Sequence, residues 1–175
     1  MIATAVASAL LAVGLVSACS PGAEQESAQA VAATPAAQAP AATPVATVAA
    51  ADLPTMTVYK SPTCGCCKEW VKRAEQAGFR VVVHDTMDVT PIKRQYGVAD
   101  NLHSCHTAVV GGYVVEGHAP LEDVQRMLRE RPQIAGIAVP GMPVGSPGME
   151  MGTQKEPYDV VAFTKDGATS VYAKH

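Results

Sequence analysis

The segment most informative about the fold runs from Met56 to Cys67 and reads Met56-Thr57-Val58-Tyr59-Lys60-Ser61-Pro62-Thr63-Cys64-Gly65-Cys66-Cys67. Its first four residues predict a β-strand, and the residues around Pro62 predict a loop. From Cys67 to Ala77 the apolar residues recur at helical spacing, and Gly78 is placed to end the helix. The cysteines therefore lie where a strand ends and a helix begins.

Downstream of this unit, the patterns predict a strand, a short helix, a hairpin and a further helix. Phe79 to His84 contains three consecutive valines, typical of a buried strand. Thr90-Pro91 suits the start of a short helix that ends near Tyr96. Residues 107–115 predict a hairpin around Gly111-Gly112, and residues 120–129 predict an amphipathic helix.

This order of elements, with cysteines between the first strand and the first helix, is that of thioredoxin-like proteins. The βα units predict parallel strand pairs and the hairpin predicts an antiparallel one. We therefore expect an α/β fold with a thioredoxin-like mixed sheet flanked by helices. Residues 136–152 are rich in Gly, Pro and Met and too irregular for a long element, whereas residues 158–163 and 170–173 predict an added C-terminal hairpin.

The 175 residues carry a net charge of −3, and every Lys and Arg lies at or after Lys60. From Leu53 onward acidic and basic residues are equal in number, so the basic surface of a nucleic-acid-binding protein is absent from the sequence. Ile2 to Ala18 is apolar or small but shorter than a bilayer span. It predicts a signal peptide, and Ser17-Ala18-Cys19 resembles a bacterial lipobox, with an ordinary secretory signal as the alternative.

The sequence thus divides into three parts. Residues 1–19 are interpreted as a signal peptide with a lipobox, in which Cys19 is lipidated. Residues 20–52 are Ala- and Pro-rich and predict a disordered linker. Residues 53–175 are long enough for one small domain. On this interpretation a lipid anchor is the only attachment to a membrane.

A fourth cysteine of the domain, Cys105, precedes the third predicted strand. In a thioredoxin-like fold that segment packs against the cysteine loop, so we expect Cys64, Cys66, Cys67 and Cys105 to meet. Backbone N–H groups and the dipole at the start of the helix favour thiolates there. Two structural disulfides, a zinc site or a thioredoxin-like Cys64–Cys67 dithiol are alternatives. Cu(I) suits the crowded spacing best, because it accepts few ligands and bridging thiolates.

Three further side chains are candidate secondary metal ligands: His106, His118 and Met142. Imidazole is a ligand for Cu(II) and thioether for Cu(I), so neighbours of these types suit a site that handles both states. Each residue taken alone is also consistent with a packing role, as a buried polar group or as a gap-filling methionine.

The residues from Thr57 to about Gly152 resemble the CopG-type copper-resistance proteins, a family long described as a domain of unknown function. The resemblance rests on residues 59–67, Ser104-Cys105-His106-Thr107-Ala108, Val115-Glu116-Gly117-His118 and residues 138–143. It implies a periplasmic thioredoxin-like protein that binds copper through Cys64, Cys66, Cys67 and Cys105. It also implies a cysteine-bridged polynuclear cluster and, as a candidate activity, Cu(I)/Cu(II) interconversion in copper resistance.

Two classes of function follow for a lipid-anchored periplasmic copper protein. In the first it is a copper oxidoreductase; in the second it only binds copper and exchanges it with other periplasmic copper-handling proteins. The alternative to both is a thioredoxin-like thiol–disulfide oxidoreductase. That alternative predicts that Cys66→Ser retains activity while Cys64→Ser loses it.

Overall fold

The computed structural model describes residues 53–175. The predicted signal peptide, Cys19 and the predicted linker lie outside the described residues. Strand β1 (Met56–Lys60) is followed by helix α1 (Gly65–Gln76), which begins two residues before its predicted start. The reason is that the side chain of Cys64 caps the helix, so Cys66 and Cys67 already belong to its first turn. None of the helices in the described residues has the length and apolar character needed to cross a bilayer.

The strands form one mixed, open sheet of seven strands, in the order β2-β1-β3-β4-β5-β6-β7. The pairs β1–β2 and β4–β5 are parallel, and the other pairs are antiparallel. The α/β class and the mixed sheet are as predicted, in an arrangement consistent with a thioredoxin-like fold extended by C-terminal strands. The remaining elements are β2 (Val81–Asp85), α2 (Thr90–Gln95), a 3₁₀ turn (Asp100–Leu102), β3 (His106–Val110), β4 (Tyr113–Glu116), α3 (Leu121–Glu130), β5 (Gly136–Ala138), β6 (Asp159–Phe163) and β7 (Thr169–Lys174).

The core lies on both faces of the sheet. Neighbouring residues of β4 show the two faces, since side chains alternate along a strand. Val115 packs in the larger cluster with residues of α1 and α3, including Trp70 and Val124. Val114 packs in a smaller cluster with Val98 and Leu102, which follow α2. The cysteine helix α1 is therefore fixed on the larger core.

Strand β2 departs from the prediction of a buried strand. Val82 and Val83 are 43% and 40% exposed. The prediction was wrong because β2 is the edge of the sheet, where one side of the strand has no neighbour. A run of three valines shows that a strand forms, but does not reveal its position in the sheet.

Strand β5 was missed, since its three residues are too few to show a pattern. It links the C-terminal hairpin of β6 and β7 to the rest of the sheet. Its first residue is Gly136, where an added Cβ would lie 2.0 Å from the carbonyl oxygen of Val114. Close approach of the two backbones therefore explains this glycine.

Candidate metal centre

Three of the four predicted cysteines lie at the start of α1. Cys64 is the N-cap residue, and the backbone N–H of Cys67 donates to its sulfur at 3.3 Å. Cys66 is partly exposed, whereas Cys67 is fully buried. Because the N-terminus of a helix favours negative charge, this position stabilises thiolates when the sulfurs are reduced.

The fourth cysteine reaches the same place from the turn before β3. The Sγ atoms of Cys64 and Cys66 are 3.4 Å apart, and those of Cys66 and Cys105 are 4.0 Å apart. Ligand atoms of all four cysteines lie within 4.8 Å of one another. The structure thus brings together the four sulfurs that the sequence predicted to meet.

Among the described cysteines, Cys64 and Cys67 form a disulfide, while Cys66 and Cys105 are thiols. Of the alternatives considered from the sequence, this pairing is that of the thioredoxin-like dithiol, and two structural disulfides are not present. The described state is therefore the oxidised one. Its disulfide must be reduced before all four sulfurs can act as thiolate ligands.

Two histidines extend the cluster on the side of Cys105. Its Sγ lies 2.9 Å from Nε2 of His118 and 3.4 Å from Nδ1 of His106. These three side chains form a second group of candidate metal ligands, which shares Cys105 with the first. Both histidines are fully buried.

The two histidines differ in their hydrogen-bond partners, and the partner of His118 fixes its tautomer. Nδ1 of His118 lies 2.8 Å from the carbonyl oxygen of Pro147, and since a carbonyl only accepts, Nδ1 carries the proton. Nε2 therefore offers its lone pair towards Cys105. Nε2 of His106 is buried and has no hydrogen-bond partner among the described residues.

Burial shifts the pKa values of the centre towards the neutral forms. Burial, followed by the neighbouring Cys66, raises the pKa of Cys105 to about 12. Burial, with smaller contributions from His118 and two lysines, holds the pKa of His106 well below its usual range. Burial likewise lowers the pKa of His118. The imidazoles are thus neutral and able to bind a metal at neutral pH, and a metal that binds Cys105 must displace its proton.

Residues 143–150, the covering loop, close one side of the centre. An added Cβ on Gly148, whose φ is +86°, would lie 2.8 Å from the carbonyl oxygen of Cys66 and 3.0 Å from the nitrogen of Trp70. Glu150 pairs with Arg73 of α1 at 2.8 Å. The loop is therefore held against the first turns of α1 by tight packing and by an ion pair.

Of the other predicted ligands, Met142 lies just before the covering loop and is 52% exposed. Its neighbour Gly141 accepts a hydrogen bond from Ser104 Oγ, which places this segment beside the Cys105 turn. A ligand role for Met142 stays a prediction. His103 also flanks Cys105 in sequence, but its Nε2 lies 3.2 Å from the Val98 carbonyl oxygen.

The sequence prediction missed a buried polar network beneath Cys105. The carboxylate of Glu116 is fully buried and bonds to Lys93, Thr107 and the backbone of Ser104. A charged residue that directly follows two buried valines in a predicted strand was the available signal, because a charge at the end of such a strand needs a partner.

The donor set is that of a soft-metal site. Thiolates and neutral imidazoles bind Cu(I) and Zn²⁺ well, whereas Mg²⁺ and Ca²⁺ prefer oxygen ligands. No acidic side chain belongs to either group of candidate ligands found in the described residues. The chemistry of the residues therefore fits a thiophilic ion.

Two solved structures with the descriptions "Copper resistance protein copG- Form 2" and "Copper resistance protein copG- Form 1" are similar to the chain. Each is 46% identical in sequence, with TM-scores of 0.67 and 0.66. In both cases the match covers 70% of this chain and 98% of the other. The chain belongs to the CopG family of copper resistance proteins.

A second comparison concerns the part of the CopG domain around Cys105. The family described as "Protein of unknown function, DUF411" matches residues 102–149, which include both histidines and most of the covering loop. The comparison with curated proteins gives no match. Family membership thus rests on close similarity to the CopG structures and agrees with the resemblance found in the sequence.

Proposed function

We propose that this protein binds Cu(I) in the periplasm as part of copper resistance, through the sulfurs of Cys64, Cys66, Cys67 and Cys105. The observation that carries the proposal is the convergence of four cysteine sulfurs within 4.8 Å in a member of a copper-resistance family. Zinc sites with four cysteines usually draw on two separated cysteine pairs, whereas three of these cysteines share one turn of helix. This crowding favours Cu(I).

The centre has enough candidate ligands to bind more than one ion. The two groups of candidate ligands share Cys105, so its sulfur can bridge an ion held by the other cysteines and an ion held by His106 and His118. A bridging thiolate also contacts two metal ions with a single negative charge, so fewer like charges have to be brought together in the centre. A polynuclear copper site is the arrangement that these shared ligands favour, with Met142 as a further candidate ligand.

The disulfide suggests how such a centre could exchange electrons. Reduction of the Cys64–Cys67 bond consumes two electrons and two protons and yields two thiols. In the opposite direction, formation of the bond from two thiolates releases two electrons, which reduce two Cu(II) ions to Cu(I). An external thiol reductant would then restore the dithiol. In this form the protein is a copper oxidoreductase; without that turnover it is a copper-binding protein.

A thiol–disulfide oxidoreductase is the second candidate function, and the Cys64–Cys67 disulfide favours it. Cys67 is fully buried and Cys64 is partly exposed, so an incoming thiol would attack the sulfur of Cys64. This function needs neither Cys66 nor Cys105. Their position beside the disulfide is the reason that copper binding is preferred.

The remaining proposals concern the residues before the domain. A signal peptide over residues 1–19 would direct export, and lipidation of Cys19 would attach the protein to a bacterial membrane. The linker over residues 20–52 would let the domain, residues 53–175, reach tens of ångströms from that membrane. Its partners would be copper ions and other periplasmic copper-handling proteins.

The dependence of copper binding on the disulfide tests the proposal. Cu(I) is titrated anaerobically, against a colorimetric chelator, into protein that is oxidised at Cys64–Cys67 and into protein whose four thiols are reduced. We expect Cu(I) affinity to rise by about 100-fold or more on reduction, since two ligands become available. Equal affinity in both forms would contradict binding through all four sulfurs. The control is the Cys64→Ser/Cys67→Ser variant, which should not respond to the reductant.

A further inference from the structure

Glu116 ends strand β4 with its carboxylate entirely inside the protein. Its Oε1 accepts from Nζ of Lys93 at 2.5 Å and from the backbone N–H of Ser104 at 2.6 Å. Its Oε2 accepts from the hydroxyl of Thr107 at 2.7 Å. The side chains of Lys93 and Glu116 are 3% and 0% exposed. One carboxylate thus joins α2, β3, β4 and the turn that carries Cys105.

Stability alone is a weak reason for this arrangement. A buried ion pair loses its hydration, and apolar residues of similar volume commonly replace one without loss of stability. What apolar residues cannot supply is a directed acceptor for the Ser104 N–H. Backbone donors that are shielded from water need such a partner, and the partly buried turn before β3 obtains it from Glu116.

Ser104 is held on three sides. In addition to the bond from its N–H to Glu116, its hydroxyl donates to the carbonyl oxygen of Gly141. Gly117 packs so closely that an added Cβ would lie 2.5 Å from the Cβ of Ser104. The next residue is Cys105, whose sulfur lies 4.0 Å from that of Cys66 and 2.9 Å from Nε2 of His118. The position of this sulfur therefore depends on how Ser104 is held.

We propose that Glu116 is a positioning residue for the metal centre: by accepting from the Ser104 N–H it fixes the sulfur of Cys105 where both groups of ligands share it. Lys93 balances the charge of the buried carboxylate. The role extends the proposed copper function and rests on it. Glu116 itself is not a ligand, and it acts only through the turn that contains Cys105.

Two double variants separate this role from ordinary packing. K93M/E116Q and K93M/E116M both remove the buried ion pair and keep similar side-chain volumes. Only glutamine retains a carbonyl oxygen that can accept from Ser104 N–H. We expect K93M/E116M to weaken Cu(I) binding by about 10- to 100-fold, the usual effect of removing a partner that orients a ligand. K93M/E116Q should stay within about threefold of the wild type, on the same scale.

A second pair of variants tests whether the effect passes through Cys105. In a C105S background, K93M/E116M should cause no further loss of Cu(I) affinity, because the group that Glu116 positions is absent. A packing defect would weaken binding to the remaining cysteines in both backgrounds. An equal loss with and without Cys105 would overturn the proposal, as would equal losses in the glutamine and methionine variants.

A measurement on metal-free protein tests the role of Glu116 independently of whether the protein binds copper. In reduced, metal-free full-length protein, the alkylation rates of Cys105 and Cys66 are compared by mass spectrometry. In K93M/E116M, Cys105 should be alkylated about tenfold faster than in the wild type, because one hydrogen bond that holds its turn is lost. The rate of Cys66 should not change, and K93M/E116Q should show the wild-type rate for both cysteines. A wild-type Cys105 rate in folded K93M/E116M overturns the positioning role. If the wild type binds no copper, the proposed function fails, and this rate still decides the role of Glu116.

If K93M/E116M does not fold, the same measurements are made on E116D. It keeps a charge opposite Lys93 but shortens the side chain by one methylene, which draws the carboxylate away from the Ser104 N–H. Faster alkylation of Cys105 and weaker Cu(I) binding support the proposal. Wild-type values for both overturn it.

Discussion

Replacement of Cys66 by serine should weaken Cu(I) binding by about 100-fold or more while leaving the Cys64–Cys67 pair able to form its disulfide. Cys66 lies between the other sulfurs, 3.4 Å from Cys64 and 4.0 Å from Cys105, so its loss breaks the cluster in the middle. Even groups that only orient a metal ligand contribute about 10- to 100-fold, and a ligand itself should contribute more. Competition with a Cu(I) chelator under anaerobic conditions measures the effect.

The same variant separates the two candidate functions. A thiol–disulfide oxidoreductase would retain its exchange activity in Cys66→Ser and lose it in Cys64→Ser, because Cys66 takes no part in the Cys64–Cys67 bond. Val82→Ser is the control, since it also introduces a serine but does so at an exposed position on the edge strand, and it should leave Cu(I) affinity unchanged. Wild-type Cu(I) affinity in Cys66→Ser would rule out the four-sulfur site.

Replacement of Trp70 by alanine should lower the free energy of unfolding by about 3–5 kcal/mol. The indole is fully buried in the larger core, and its Nε1 donates to the carbonyl oxygen of Ala119 at 2.9 Å. Its ring also lies against that of His106, with 4.6 Å between centroids. The substitution leaves a cavity beside His106, one of the candidate ligands. Urea unfolding followed by circular dichroism measures the change.

Two controls bracket the Trp70 prediction. Trp70→Phe keeps most of the buried volume but leaves the Ala119 carbonyl without its donor, so the loss should fall to about 1–3 kcal/mol. Val82→Ala truncates an exposed side chain at the edge of the sheet and should change stability by about 0.5 kcal/mol or less. A Trp70→Ala protein as stable as Val82→Ala would show that the core is not organised around the indole.

The elements nearest the cysteines could be predicted from local patterns. The Met56–Lys60 strand, the cysteine helix and the Gly111-Gly112 hairpin each carry their signal within a few consecutive residues. The convergence of Cys105 on the other cysteines followed from the order of elements, because that order places the turn before β3 against the start of α1. Local periodicity and the order of elements were thus sufficient to predict that the four cysteine sulfurs lie close together.

What the sequence did not reveal depends on contacts between distant residues. The exposure of Val82 follows from the edge position of β2, which no local pattern encodes. The bond from Ser104 to Glu116 joins residues that are adjacent only after β3 and β4 pair. The carbonyl of Pro147 that sets the proton on His118 comes from an irregular loop without periodicity. The surroundings of the candidate ligands were therefore less predictable than the convergence of the four sulfurs.

Copper binding by the four sulfurs is tested by metal analysis of the wild-type protein, purified without oxygen from copper-supplied cells. Copper, zinc and free thiols are counted in the same sample, with Cys105→Ser purified in parallel. We expect more than one copper per chain, no zinc, and a clear loss of copper in Cys105→Ser. Zinc in place of copper, or a metal-free protein in which all four cysteines of the domain are held in disulfides, would contradict this expectation.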